Sequence, residues 1–168
     1  PKPTFNKIIS LVGPFTKKKN VMGYNSPMGS FTRGVVKGHI PFNKIYVANQ
    51  SKEEIRIFKK KIPARYKNKI SVHLLRTLNI PSKVSKVDSF ISFNDLGHVK
   101  DVQVFVRDMK KVLSKNGKFC FYVQHNMVNM TPNALLVDDK KKMVALFKKE
   151  KLKVTYSRKR RLFKTRIF

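Results

Sequence analysis

Apolar residues fall into short β-rich runs that alternate with stretches of helical spacing. Asn20-Val21-Met22 predicts a first strand. A Gly- and Pro-containing turn, Gly23 to Gly29, separates it from a helix over Ser30 to Val36, with Ser30 as its cap. Ile45 to Ala48 predicts a second strand. Ser51 with Glu54 three residues on is a capping box, opening a helix with Ile55, Phe58 and Ile62 on one face. Pro63 ends that helix, because proline removes a donor and clashes with the preceding turn. Ile70 to Leu75 and Val87 to Phe93 predict the third and fourth strands. The strongest helical signal runs from Val99 to Ser114, where Val102, Phe105, Val106, Met109, Val112 and Leu113 form one apolar stripe. Asn116-Gly117 supplies its left-handed stop.

Lys118 to Val123 predicts a fifth strand. Asp138 caps a helix through Lys149, with Met143, Val144 and Phe147 inward. Lys151 to Tyr156 and Leu162 to Phe168 read as two strands. The basic connection Ser157 to Arg161 is short enough for them to pair antiparallel. Ahead of all these, Ile8, Ile9, Leu11 and Val12 suit a short helix or an anchoring segment ended by Gly13-Pro14. Alternating strands and helices imply an α/β fold with a mostly parallel sheet covered on both faces, and the final pair adds an antiparallel hairpin. The expected organisation is a basic extension over residues 1–19 and one domain over 20–168.

With 168 residues, 41% of them hydrophobic, the chain can build a core without disulfides or metal. Cys120 is its one cysteine, which excludes an internal disulfide or a multi-cysteine zinc site; it reads as a small buried hydrophobe. His39, His73, His98 and His125 lack metal-ligand spacing, so no metal is expected. His98 and His125 fall in loops after strands and read as polar loop residues. The longest uncharged stretch, Phe119 to Val137, carries too many polar residues to enter a membrane.

Charge changes the picture most. Lys and Arg number 38 against 9 Asp and Glu, a formal net charge of +29. Such a chain repels itself unless a polyanion screens it. No acid precedes Glu53 and none follows Glu150. Basic runs occur at Lys17-Lys18-Lys19, Lys59-Lys60-Lys61 and Lys140-Lys141-Lys142, and at Arg158-Lys159-Arg160-Arg161 with Lys164 and Arg166. Spread through every segment, they suit phosphate contacts with folded RNA better than the single amphipathic helix of a membrane-surface protein. Tyr24, Tyr46, Tyr66 and Tyr156 are the aromatic residues expected to stack on bases.

The stretch Asp88-Ser-Phe-Ile-Ser-Phe-Asn-Asp-Leu-Gly-His-Val99, its amphipathic helix and Lys115-Asn-Gly-Lys-Phe119 resemble the middle of a class I S-adenosylmethionine-dependent methyltransferase. The resemblance extends topologically from about Asn20 to Phe168. It implies a three-layer Rossmann-like fold with a seven-stranded sheet and a ligand cleft at the carboxyl ends of the strands. In that family an acid and a Gly-x-Gly-x-Gly loop follow the first strand. Here Gly23 stands at the acidic position, Asn25 and Pro27 at the first two glycines, and Gly29 alone is retained. Asn49 replaces the acid that grips the ribose hydroxyls, and Arg76-Thr77-Leu78-Asn79 stands where an acid often meets the adenine. Asn94-Asp95-Leu96-Gly97 lacks the prolines of the base N-methylating motif, and Asn94 and Asp95 read as a polar loop capping the next helix. The Lys-Asp-Lys-Glu set of RNA ribose methyltransferases finds no place on these strands.

The expectation is therefore a methyltransferase-like domain without cofactor or catalytic residues. It persists as an RNA-binding structural component of a ribonucleoprotein, with ribosomal RNA and neighbouring particle proteins as partners. A ribosome, especially a mitochondrial one, is the expected setting, and the start at Pro1 without an initiator Met or apolar leader is what a processed or trimmed chain has. Two alternatives remain: an active RNA methyltransferase that binds S-adenosylmethionine through a divergent loop, and a structural partner of an active methyltransferase.

Overall fold

The computed structural model describes residues 13–26, 29–81, 84, 86–93, 95–124, 132–154, 158–160 and 165–167. Five strands run parallel: β1 (Asn20–Tyr24), β2 (Lys44–Asn49), β3 (Ile70–Leu74), β4 (Val87–Phe93) and β5 (Leu113–Gln124). They lie in the order β3-β2-β1-β4-β5, so the direction in which the chain builds the sheet reverses between β1 and β4. In open α/β sheets that reversal leaves a crevice at the carboxyl ends of the strands.

Side chains alternate across each strand and divide the core in two. Val21, Ile45, Val47, Ile91 and Cys120 face α1 (Ser30–Lys37) and α2 (Lys52–Lys61), whose Phe31, Val35 and Phe58 meet them. Met22, Tyr24, Tyr46, Phe90 and Phe121 face the other way, toward α3 (Val102–Val112) and α5 (Lys140–Lys149). That second layer is aromatic. Phe90 lies between Tyr24 and Phe121 at centroid distances of 5.6 and 5.9 Å, and Phe147 of α5 stacks on Phe119 at 4.9 Å. Complete burial of one such ring contributes about 1.5–3 kcal/mol. The stripe read from the sequence of α3 is the buried one: Val102, Phe105, Val106, Met109 and Val112.

Several expected boundaries move. The long helix stops at Val112, and β5 begins at once and runs through Asn116-Gly117. Gly29 is the one glycine with positive φ among the described residues, so Gly117 is not a left-handed stop. Val87 pairs with Leu113 and Ser89 with Lys118, so residues 114–117 bulge from the ladder. A Cβ on Gly117 would lie 3.0 Å from the Ser114 carbonyl oxygen, so glycine serves close packing there. Ser30 is the first helical residue rather than the cap: Gly29 precedes it, and Ser26 Oγ accepts the Phe31 N–H from outside the helix. Asp139, not Asp138, caps α5, accepting from the N–H groups of Lys141 and Lys142; Asp138 ends the short α4 (Ala134–Asp138).

Residues 13–16 are helical, so Gly13-Pro14 does not end the helical segment. Ile8, Ile9, Leu11 and Val12 lie outside the described residues. Beyond α5, residues 152–154 are not strand. Lys151 turns the chain with φ 58°, and Leu152 and Val154 pack against the aromatic core. Two three-residue strands follow, β6 (Arg158–Arg160) and β7 (Thr165–Ile167), with β7 antiparallel to β5 and β6 outside it. Among the described residues no helix is long and apolar enough to cross a membrane.

Candidate functional site

The crevice lies where β1, β2 and β4 end. β1 gives way to Asn25, whose φ of 48° bends the chain into the left-handed region that Asn tolerates. Its N–H donates to the Ala48 carbonyl at 2.7 Å, tying the loop to β2. Its side chain crosses the crevice: Nδ2 donates to Asp95 Oδ1, just past the end of β4, at 2.6 Å. Asp95 is 3% exposed, and its other oxygen accepts from Ser92 Oγ at 2.6 Å. A buried carboxylate needs such donors to remain charged. Asn25 and Asp95 are 70 residues apart in sequence, and the β1–β4 pairing brings them together.

Asn49 ends β2 and is 4% exposed. Its Nδ2 donates to Glu54 Oε2 at 2.9 Å and to the Ser26 carbonyl at 3.3 Å, while its Oδ1 accepts from Ser51 N–H at 2.8 Å. Both amide hydrogens and the carbonyl oxygen thus have partners within the protein. The capping box forms by half: Ser51 Oγ accepts from Glu54 N–H, whereas the Glu54 carboxylate reaches Asn49 instead of Ser51 N–H.

Glycine is retained at Gly29 for two reasons. Its φ is 62°, and an added Cβ would fall 2.3 Å from the ring of Phe58, which is 2% exposed. The α2 phenyl ring therefore lies against the loop backbone. At Gly23 an added Cβ would stand 2.9 Å from Phe31, so a side chain at the family's acidic position would collide with the α1 core. Tyr24 is fully buried, with its hydroxyl 3.5 Å from the Asn79 carbonyl oxygen. Burial, and then the Asp95 charge, raise its pKa far above the usual range, so it stays a neutral phenol.

Pro27, Asn94, His125, Tyr156, Arg161 and Lys164 lie outside the described residues. Tyr24 and Tyr46 are core residues and offer no base-stacking surface, contrary to expectation; both sit on strand positions that face the α3 layer. Tyr66 is half-buried with its ring 5.5 Å from Phe42. His98 is exposed. Cys120 is buried, and burial pushes its thiol up to about 12. His73 on β3 keeps Nε2 without a partner, and burial followed by the Lys44 charge lowers its pKa. Among the described residues no His, Cys, Asp and Glu group is arranged to hold a metal.

Of the basic runs, Lys17 to Lys19 and Lys59 to Lys61 are exposed, and no ion pair ties them to an acid among the described residues. Lys140 to Lys142 form the exposed first turn of α5, where Lys142 pairs with Asp139 at 3.7 Å. Arg158, Lys159 and Arg160 form β6, and Arg166 lies in β7. Sequence reasoning missed Ser26, Glu54, Phe58 and Ser92, which complete the crevice. Ser26, Glu54 and Ser92 had a positional signal, each falling within a few residues of a strand end or of the glycine loop, whereas Phe58 lies mid-helix and had none.

The methyltransferase domain family matches residues 28–121, more than half of the chain. No curated protein matches it in sequence. Among solved structures, a chain of the complex between the Haloferax volcanii Trm112 methyltransferase activator and the putative methyltransferase is 12% identical. It superposes with a TM-score of 0.76 over 96% of this chain and 85% of that one. An Aquifex aeolicus S-adenosylmethionine-dependent methyltransferase, also 12% identical, gives 0.73 over 96% and 86%. Coclaurine N-methyltransferase, bound to N-methylheliamine and SAH, is 13% identical and gives 0.61 over 72% of this chain. The chain spans only 36% of that enzyme, and 53% of a Mesorhizobium loti methyltransferase that it also resembles. At these identities the structures speak for the fold alone. Strand order, the reversal between β1 and β4, and the family match agree: the chain belongs to the class I methyltransferase-domain family.

Proposed function

We propose that this chain is an RNA-binding structural component of a ribonucleoprotein, of the kind a mitochondrial ribosome contains. Its methyltransferase domain no longer holds the methyl donor. The observation that carries the reading is the Asn25–Asp95 hydrogen bond across the crevice at 2.6 Å. The donor's sugar needs a charged acceptor at the end of β2. Asn49 is neutral, and its amide already serves Glu54, Ser26 and Ser51. A hydrogen bond to a charged group contributes about 1.5–3 kcal/mol. Losing two such contacts weakens binding by about 10²–10⁴. These residues do not suit the donor, and no catalytic step is assigned to them.

The net charge of +29 supports a polyanion as partner. Phosphate contacts by Lys and Arg need no catalytic geometry. Particle proteins are further partners in this reading, as the Haloferax putative methyltransferase is found with the Trm112 activator.

The experiment is a pair of titrations of the full chain, one with S-adenosylmethionine and one with a structured ribosomal RNA fragment. RNA binding that weakens steeply with salt, without donor binding below millimolar, is expected. Donor binding at low micromolar concentration would sink the reading. Gly29, the retained glycine of the loop and left-handed here, favours a second reading as an active RNA methyltransferase. Labelled methyl transfer to RNA, abolished in Asn49→Ala, would establish it.

A further inference from the structure

We propose that the amino end of the sheet, opposite the crevice, is the surface that seats the phosphate backbone of folded RNA. The inference rests on the RNA-binding reading and adds the place of contact.

Topology gathers the cations there. A helix joining two parallel strands must return against them, so it finishes at the end where strands begin. α1 finishes there with Lys37, α2 with Lys59, Lys60 and Lys61, and α3 with Lys110 and Lys111. The strand starts add a second set in register. Lys69 precedes Ile70, which pairs with Ile45 beside Lys44; Lys44 pairs with Asn20, which follows Lys19. Strands lie about 4.8 Å apart, so Lys69 and Lys44 are neighbours at that pitch, and Lys19 stands one residue before Asn20, the β1 partner of Lys44. Further along the same end, Lys118 pairs with Ser89, one step deeper than the strand starts, and Lys115 stands on the adjoining bulge. Lys17, Lys18, Lys19, Lys69, Lys86, Lys115 and Lys118 are all exposed.

The segment carrying Lys17 to Lys19 is fixed to this end. Ser89 Oγ donates to the Phe15 carbonyl at 2.5 Å, Lys18 N–H to Pro41 at 2.8 Å, and Asn43 N–H to Lys19 at 3.0 Å. These lysines therefore belong to the same surface as the strand starts.

The acids are segregated in the opposite sense. Glu53 and Glu54 sit in the first turn of α2, Asp101 and Asp139 cap helices, and Asp95 closes the crevice. The three toward the amino end are engaged. Asp88 accepts from Asn20 N–H and Ser114 Oγ, Asp108 pairs with Lys111, and Glu150 pairs with Arg107. The helix macrodipole accounts for cations in last turns. It does not account for Lys19, Lys115 and Lys118, which lie outside helices, whereas Lys69 ends a short 3-10 helix (Ala64–Lys69). A polyanion across this end accounts for both sets.

Chemistry favours RNA over an anionic membrane. Surface-lying proteins insert apolar side chains beside their cations. Among the described residues, the exposed large apolar ones, Leu74, Val104 and Leu135, belong to the other end. Leu74 closes β3, Val104 sits in the first turn of α3, and Leu135 follows Asn133, whose N–H donates to Gly97 in the β4–α3 loop.

The test compares two charge-matched variants of the full chain. One carries Lys19→Gln, Lys69→Gln, Lys115→Gln and Lys118→Gln. The other carries Lys52→Gln, Arg76→Gln, Lys100→Gln and Lys140→Gln, all exposed and none at the amino end. Each loses four positive charges, and circular dichroism melts check that both fold. Binding to a structured ribosomal RNA fragment is read across a salt series. The amino-end variant is expected to bind about 10–100-fold more weakly near 0.1 M salt, with a log–log salt slope smaller by about 3–4; the other stays within about threefold. Equal losses, or a larger loss in the second variant, overturn the placement while leaving RNA binding standing. No RNA binding by the unaltered chain, or binding only to phosphatidylserine vesicles, overturns both.

Discussion

The two ends of the sheet handle polar groups in opposite ways. At the carboxyl end, Asn25, Asp95, Ser92, Asn49 and Glu54 are hydrogen-bonded to one another or to nearby backbone, and they are largely buried. At the amino end, most of the described cations stand in solvent without a paired acid, and the acids nearby are engaged, Asp88 by Asn20 and Ser114 and Asp108 by Lys111. A family fold that receives its small ligand at the first end has there a set of groups satisfied by one another. The contrast teaches that one sheet can satisfy its polar groups internally at one end while leaving charged groups to solvent at the other.

The largest test of the closed end is packing. Phe58→Ala is expected to cost about 3–5 kcal/mol in urea denaturation. Gly29→Ala should cost about 3 kcal/mol, from the collision with Phe58 and the left-handed backbone together. In the double variant the two costs should fall short of additive by about 1–2 kcal/mol, because the collision disappears. Full additivity would show that the ring does not press on the loop. Phe58→Ala that binds S-adenosylmethionine would show that packing alone shuts the crevice.

Next is the polar bridge. Asp95→Ala strands the part-buried amide of Asn25 and the buried hydroxyl of Ser92, at about 2–4 kcal/mol. Asn25→Asp faces one carboxylate with another, which raises the pair's pKa above its unfolded value. Stability from such a group is present below the unfolded pKa and lost as pH rises through the folded one. This variant should therefore gain stability relative to the unaltered chain as pH falls from 7 toward 5, as read by thermal melts. A pH-independent difference would break the proposed geometry.

Cys120 tests burial on the sheet itself. Its thiol is raised from 9.0 to about 12 by burial, so the unfolded chain releases that proton first as pH rises. Its contribution is intact below pH 9 and declines through about pH 12. The unaltered chain should lose about 2 kcal/mol more than Cys120→Ala between neutral pH and about pH 10.5. The smallest effect belongs to an exposed pair: Arg56→Ala, which removes the 2.6 Å contact with Glu53, should change stability by less than about 0.5 kcal/mol.

Local periodicity made much of the fold legible. The stripe of α3 and the five parallel strands follow from 3.6- and 2-residue patterns that burial enforces. Ends were less legible where two signals competed. Asn116-Gly117 has the chemistry of a helix stop, yet the chain was already in β5, and glycine was needed for a bulge. The loss of family residues at Gly23, Asn25 and Asn49 could be read along the chain. What replaced them could not, because Asn25 meets Asp95 only through the strand order. Tyr24 and Tyr46 misled for the same reason: which face of a strand is buried depends on the layers around it.

The Asn25–Asp95 bond also joins what topology leaves as two half-sheets, β3-β2-β1 and β4-β5, at the seam where a ligand would otherwise wedge between loops. A domain latched at its seam has one more bond to break before the loops on either side can part.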